Sequence, residues 1–219
     1  MPPITLYHLQ ASRSIRIAWL LEELSLPYTL IRAEREPSGL SPASFKESTG
    51  TILGKAPVLR DGDLNLEESG AITEYLLATY DGEHRLMAPQ LSSATWAKTL
   101  QFIHAAEGTM MTHCLPFIYV KRIDAAAAEG LRPKLAGVVG KDLDWLEKEL
   151  ELKGGGWLVG DGVSAADTMM AFSVMFIFAN GLAPRDGRWR NVERWLQRVE
   201  EREAWREAVR KTGFELPAQ

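Results

Sequence analysis

The chain of 219 residues is 46% hydrophobic and 25% charged, which is ordinary for a globular protein with a sizeable core. Its formal net charge of −4 offers no basic surface for a nucleic acid, and its single cysteine excludes an internal disulfide framework or a cysteine-rich zinc site. The N-terminal residues lack the pattern of a signal peptide, and polar residues interrupt the most apolar segment, residues 165–182, so we expect a cytoplasmic protein that does not enter a membrane.

The N-terminal third of the chain mixes strand and helix signals. Two β-prone runs, residues 4–7 and 28–31, flank a segment whose apolar residues recur at helical spacing. A polar segment with several prolines and glycines leads to a strand that begins at Pro57, an Asp-Gly hairpin at residues 61–63 and a helix over residues 69–80. This order, βαβ followed by ββ and α, predicts a thioredoxin-like α/β domain with a small mixed sheet.

In the rest of the chain, after a turn-rich connector, the helical period dominates and strand signals largely stop. Ser164 and Asp167 have the spacing of a capping box at the start of a strongly apolar helix, with Asp167 as the reciprocal acceptor. We therefore predict an all-α domain after the α/β domain. The predicted boundaries are residues 1–82 for the first domain and 90–219 for the second.

Two short motifs in the first domain carry most of the functional information. They are Gly-Lys-Ala-Pro-Val-Leu at residues 54–59 and Glu-Glu-Ser-Gly-Ala-Ile at residues 67–72. Proline cannot donate to a sheet ladder, and a strand that begins at one is tolerated where the preceding backbone faces a ligand. The two motifs resemble the glutathione site of the glutathione S-transferase family. The order of an α/β domain and then a helical domain extends the resemblance over nearly the whole chain. Within the family, the chain resembles most the serine-containing members, of the theta- or delta-like type or of the fungal and bacterial type.

The resemblance implies a contact for each part of glutathione. The backbone of Ala56, before a cis Pro57, would pair with the cysteinyl residue as an added strand does. Ser69, with the backbone N–H at a helix start, would hold the γ-glutamyl carboxylate, and Glu68 would accept from its ammonium group. Lys55 would meet the glycyl carboxylate. The alternatives are that Ser69 only caps its helix, that Glu68 only complements the helix dipole and that Lys55 is merely solvated.

Where the family commonly has Asn-Pro or His-Pro, this chain has Thr51-Ile52. The departure lies in the loop before the glutathione motif. It leaves open which residue grips the glycyl end of glutathione.

Three hydroxyl groups are candidates for stabilising the glutathione thiolate. A free thiol has a pKa of about 8.5, so a donated hydrogen bond favours the reactive, ionised form. Ser12, between the first strand and the first helix, resembles the serine of theta- and delta-like transferases and is our first choice. Tyr7 resembles the tyrosine of alpha-, mu- and pi-like enzymes, although it also fits a core position, and Ser14 is the local competitor. No cysteine occupies this turn, so covalent chemistry through a protein thiol is not expected.

In the helical domain, Glu107-Gly108 resembles the acid-glycine pair that reaches across the family's dimer to the γ-glutamyl ammonium. This implies a homodimer, the alternative being that Glu107 is a solvated charge. His104, His113 and Cys114 fall on one predicted helix, but the two histidines lack the i, i+3 or i, i+4 spacing of metal ligands, so we predict no metal site.

The resemblance implies an enzyme of detoxification that joins the glutathione thiolate to a hydrophobic, electrophilic small molecule bound between the domains. Two other functions stay open. One is glutathione-dependent reduction of peroxides or disulfides at the same site. The other is a non-catalytic glutathione-binding regulatory module, against which the retention of Ser12, Ser14 and Tyr7 argues.

Overall fold

The structure is a computed structural model that describes residues 3–90 and 93–216. The outer ends of the predicted domains, residues 1–2 and 217–219, lie outside the described residues. Contacts divide the chain into two compact units. The first extends to Arg85 and also includes Arg202–Glu215, and the second comprises Leu86–Glu201.

The first unit contains a four-stranded sheet in the order β2-β1-β3-β4. β1 pairs with β2 in parallel, whereas β1 with β3 and β3 with β4 are antiparallel. The strands are β1 (Ile4–Leu9), β2 (Tyr28–Ala33), β3 (Val58–Asp61) and β4 (Leu64–Glu67). The helices that follow them in this part of the chain are α1 (Ser14–Glu23), α2 (Ala43–Thr49) and α3 (Ser69–Tyr80). A mixed sheet whose first two strands are joined by a helix confirms the predicted thioredoxin-like α/β fold.

The strand register brings three separate segments to one end of this sheet. Tyr7 on β1 is opposite Val58 on β3, and Val58 is opposite Glu67 on β4. The end of β1, the start of β3 and the end of β4 therefore lie side by side. The turn before α1, the Ala56-Pro57 segment and the N-terminus of α3 meet at this edge, which is where the sequence predicts the glutathione site.

α2 was not predicted from the sequence, which reads there as a polar connecting segment. The helix has seven residues and buries Phe45 in a cluster with Tyr7, Leu9 and Val58. A helix of two turns shows too little periodicity to be recognised. Packing of one aromatic side chain against the sheet stabilises it instead.

The second unit is helical in the part of the chain described, which confirms the predicted all-α region. Its helices are α4 (Ser93–Ala105), a π-helical segment (Ala106–Met111), α5 (Thr112–Ile123), α6 (Ala125–Leu152), α7 (Ala165–Ala179) and α8 (Arg190–Glu201). Most residues of α7 are buried, and the predicted capping box of Ser164 and Asp167 is present at its start. Among the described residues, no helix has the length and apolar character needed to cross a membrane.

The last helix, α9 (Glu203–Thr212), packs on α1 and so belongs to the first unit. The rings of Trp19 and Trp205 meet edge to face with centroids 5.3 Å apart, and the guanidinium of Arg202 pairs with the buried carboxylate of Glu23. The sequence-based boundaries assign Arg202 and Trp205 to the second domain, whereas their contacts are with the first unit. An amphipathic helix shows in its sequence which face is apolar but not which element that face covers.

Candidate active site

The turn between β1 and α1 presents Ser12 at the edge of the sheet. Ala11 has a left-handed backbone with φ of 49°, and Ser12 follows with 6% of its surface exposed. The Ser12 Oγ lies 2.5 Å from the Ser14 Oγ and also accepts the backbone N–H of Ser14 at 3.3 Å. Of the two serines, Ser14 is completely buried and Ser12 is the more exposed.

His8 extends this pair of serines into the protein. Its Nδ1 is 2.9 Å from the Ser14 Oγ, and its side chain is buried under α1. Burial, with a smaller contribution from the charge of Arg32 opposite it on β2, lowers the pKa of His8 to about 4. His8 is therefore neutral at neutral pH. Sequence reasoning missed it, because one histidine in a buried strand carries no pattern that distinguishes it from a core residue.

A buried arginine supports the N-terminus of α3. Arg16 on α1 has no exposed surface, and its Nη1 donates to the Ser69 Oγ at 3.1 Å. Because the Ser69 hydroxyl accepts this bond, its own proton is available to a carboxylate. The guanidinium and the positive end of the α3 dipole both favour an anion here. Arg16 was also missed, although a cation among the apolar residues Ile15 and Ile17 is an unusual signal.

Ser69 does not occupy the cap position of α3 that the capping alternative requires. Ser69 is the first residue of α3, and Glu68 stands at the cap position without a side-chain capping bond. Glu68 is exposed and has φ of 70° and ψ of 115°. A non-glycine residue in such a conformation costs on the order of 1–3 kcal/mol, and such residues cluster at functional sites.

The segment before β3 has the predicted cis bond between Ala56 and Pro57. Pro57 is buried, and Ala56 packs at the margin of the cluster around Tyr7. The neighbouring Lys55 is exposed at the same edge of the sheet. The cis prediction is thus confirmed, and the backbone of Ala56 lies at the edge that also carries Ser12 and Ser69.

Tyr7 occupies the core position that the sequence allowed as an alternative. Its side chain is 2% exposed and packs with Leu9, Phe45 and Val58, and the guanidinium of Arg60 lies 5.3 Å from its ring centroid. Successive residues of a strand point to opposite faces. Tyr7 therefore faces α2, whereas His8 faces α1.

Glu107 lies in the π-helical segment of the second unit and is half-buried. Beside it, Gly108 helps to line a cleft of about 510 Å³. The lining residues are Gln101, His104, Ala105, Gly108, Thr109 and Trp145. π-helical turns are rare and are found frequently at functional sites.

The residues considered for a metal site have other roles in the structure. The Nδ1 of His113 is 2.6 Å from the Asp142 Oδ2, and burial raises the pKa of the Cys114 thiol to about 12. Cys114 is thus an un-ionised core residue at neutral pH. In residues 3–90 and 93–216, no group of three or more potential metal ligands is assembled.

Comparison with known proteins identifies the family. Family models of the glutathione S-transferase N-terminal and C-terminal domains match residues 6–84 and 109–203. The chain is 29% identical over 220 residues to glutathione S-transferase 3 of Schizosaccharomyces pombe. The alignment covers 95% of this chain and 87% of that protein.

Solved structures show the same fold. A glutathione S-transferase from Actinobacillus pleuropneumoniae superposes with a TM-score of 0.82 at 32% identity, over 97% of this chain and 94% of that one. Ure2p5 from Phanerochaete chrysosporium, cocrystallised with 1-(S-glutathionyl)-2,4-dinitrobenzene, superposes with a TM-score of 0.75 at 18% identity. The superposition covers 96% of this chain and 94% of that one. The two family models together span most of the sequence, and the chain belongs to the glutathione S-transferase family.

Proposed function

We propose that this protein is a glutathione transferase that joins the sulfur of glutathione to an electrophilic carbon of a hydrophobic small molecule. Family membership supports a glutathione transferase-type function. The conjugate held by Ure2p5 supports conjugation as the reaction, since that protein shares the fold. Detoxification in the cytoplasm, with residues 1–82 binding glutathione and residues 90–219 serving the electrophile and dimerisation, is part of the same proposal.

The position of Ser12 carries this proposal. Ser12 lies in the turn at the edge of the sheet and is the least buried of the three candidates, with 6% of the residue exposed, whereas Ser14 is completely buried and Tyr7 packs in the core. In the proposed mechanism the Ser12 hydroxyl donates to the sulfur and favours its ionised form. The thiolate then attacks the electrophilic carbon, and the leaving group departs with the electron pair of the broken bond.

Glutathione is held, in this proposal, along the same edge. The Ala56 backbone pairs with the cysteinyl residue, and Lys55 meets the glycyl carboxylate. Ser69 binds the γ-glutamyl carboxylate, and Glu68 accepts from the ammonium group. The Arg16–Ser69 bond supports this assignment, because it adds a buried positive charge beside the carboxylate site.

The direct test is a conjugation assay with 1-chloro-2,4-dinitrobenzene and glutathione, compared with reduction of a glutathione mixed disulfide and of a hydroperoxide. We expect conjugation to release chloride and to be the fastest of the three reactions. Faster reduction would replace our proposal with the peroxidase or reductase alternative. Glutathione binding without any of the three reactions would indicate a regulatory binding module.

Replacing Ser69 with alanine is expected to weaken glutathione binding by about 1.5–3 kcal/mol, because a hydrogen bond to a charged carboxylate is lost. This corresponds to a dissociation constant roughly 10- to 150-fold higher, measured by calorimetry. The control is Ser25→Ala, an exposed serine between α1 and β2, which should bind like the wild type. Equal affinities of the two variants would remove Ser69 from the site.

The role proposed for Glu107 requires a homodimer, because in this family the acid reaches the glutathione of the partner subunit. We expect light scattering to give the mass of a dimer at micromolar concentration. Glu107→Gln should weaken glutathione binding roughly tenfold while the dimer persists. A monomeric wild type that binds glutathione with full affinity would contradict this role.

A further inference from the structure

We propose that His8 is a positioning residue that fixes the direction of the Ser12 hydroxyl: its Nδ1–H donates to Ser14, Ser14 donates to Ser12, and Ser12 donates outward to the glutathione sulfur. This inference rests on the proposed function for the identity of the final acceptor. The direction of the hydrogen bonds within the protein does not depend on that function.

The three side chains form one continuous chain of hydrogen bonds. The His8 Nδ1 is 2.9 Å from the Ser14 Oγ, which is 2.5 Å from the Ser12 Oγ. His8 is 1% exposed, Ser14 is 0% exposed and Ser12 is 6% exposed, so Ser12 is the least buried member of the chain. A chain of this kind has two possible directions, because each hydroxyl has a single proton to donate.

The neutral state of His8 links the two directions to its two tautomers. Because burial and the nearby Arg32 hold the pKa of His8 at about 4, the ring carries one proton at neutral pH. With the proton on Nδ1, His8 donates and the chain runs outward. With the proton on Nε2, Nδ1 accepts from Ser14, Ser14 accepts from Ser12, and the Ser12 proton points inward.

The surroundings of Nε2 favour the outward direction. Within the described residues, the buried His8 Nε2 has no hydrogen-bond partner. A proton placed there would be a buried donor without an acceptor, and orphaned buried N–H groups are rarer in folded proteins than under-satisfied acceptors. The proton therefore belongs on Nδ1, which does have a partner.

The surroundings of Ser12 agree with this direction. Its Oγ also accepts the backbone N–H of Ser14 at 3.3 Å. When the Ser14 hydroxyl donates to it as well, both lone pairs of Ser12 are occupied from inside the protein. Only its O–H then remains to make a hydrogen bond, directed away from Ser14, and in the proposed function the glutathione sulfur accepts it.

The first measurement is the tautomer of His8 in the protein without ligand, from nitrogen-15 NMR of the histidine rings. The chain has four histidines, and the His8 signal is assigned by its loss in His8→Asn. We expect Nδ1 to carry the proton. Protonation at Nε2 would overturn the proposed direction whatever the protein does with glutathione.

The second measurement compares His8→Leu and His8→Asn, two side chains of similar shape of which only asparagine can donate near the position of Nδ1. The readout is ultraviolet titration of the thiol of bound glutathione. We expect His8→Leu and Ser14→Ala each to raise the thiol pKa by about one unit, a roughly tenfold smaller thiolate-to-thiol ratio at neutral pH. His8→Asn should restore most of the wild-type value.

Binding of S-methylglutathione, which cannot ionise at sulfur, distinguishes positioning from damage to the site. We expect wild type, His8→Leu and His8→Asn to bind it within about twofold of each other. If the wild type lowers the pKa of the bound thiol and both His8 variants give the same thiol pKa, the role of His8 is overturned and the proposed function still holds. A wild type that binds glutathione without lowering its thiol pKa would instead overturn the proposed role of Ser12.

Discussion

Replacing Asp167 with alanine is expected to lower the free energy of unfolding by several kcal/mol, because each buried donor left without its acceptor costs about 1–3 kcal/mol. The carboxylate of Asp167 has no exposed surface and accepts four hydrogen bonds. The donors are the backbone N–H of Leu158 at 2.9 Å, the N–H and hydroxyl of Ser164 at 2.8 and 2.6 Å, and the indole N–H of Trp195 at 2.8 Å. Alanine leaves all four donors buried without their acceptor.

Chemical denaturation of two further variants separates hydrogen bonding from volume. Asp167→Asn keeps the size but turns an NH2 group toward the donors of Ser164, so it should also be destabilising. Asp161→Ala, an exposed aspartate in the same loop, should change stability by less than about 0.5 kcal/mol. Glutathione affinity of the folded Asp167→Ala protein should be retained. A stable variant that had lost glutathione binding would contradict the structural role.

Replacing Ser12 with alanine is expected to lower kcat/KM for conjugation by roughly 10- to 30-fold at and below pH 7, because the ionised fraction of the thiol falls as its pKa returns toward the free value. In the wild type the pKa of the bound thiol should fall from about 8.5 to about 7 or below. Without the Ser12 hydroxyl it should return toward the free value. Because the thiolate is the reactive form, the loss of rate should be largest below pH 7 and should shrink as the pH rises above 8.5.

Tyr7→Phe is the matched control, since it also deletes one hydroxyl near the end of β1. Its ring packs in the core, so we expect the thiol pKa to stay at the wild-type value. Glutathione affinity should change much less than rate in Ser12→Ala. If Tyr7→Phe shifts the thiol titration and Ser12→Ala does not, the tyrosine-type mechanism replaces ours.

Local patterns in the sequence were sufficient for the elements whose stability is local. The Asp-Gly hairpin, the helix over residues 69–80 and the capping box of Ser164 and Asp167 all depend on residues within a few positions of one another. The family model and the mixed sheet agree with the fold that these elements predict. The candidates Ser12, Ala56 and Ser69 came from the resemblance of the local motifs to the glutathione site of the family.

The contacts of these candidate residues depend on tertiary structure. Arg16 meets Ser69 across 53 positions of the chain, and His8 meets Ser14 because β1 and α1 pack face to face. The packing of α2 on the sheet and of α9 on α1 was likewise invisible in the sequence. The physical reason is that periodicity in the sequence shows which face of an element is apolar. Which groups become neighbours of a buried polar side chain is decided by strand register and helix packing, and these depend on elements far apart in the sequence.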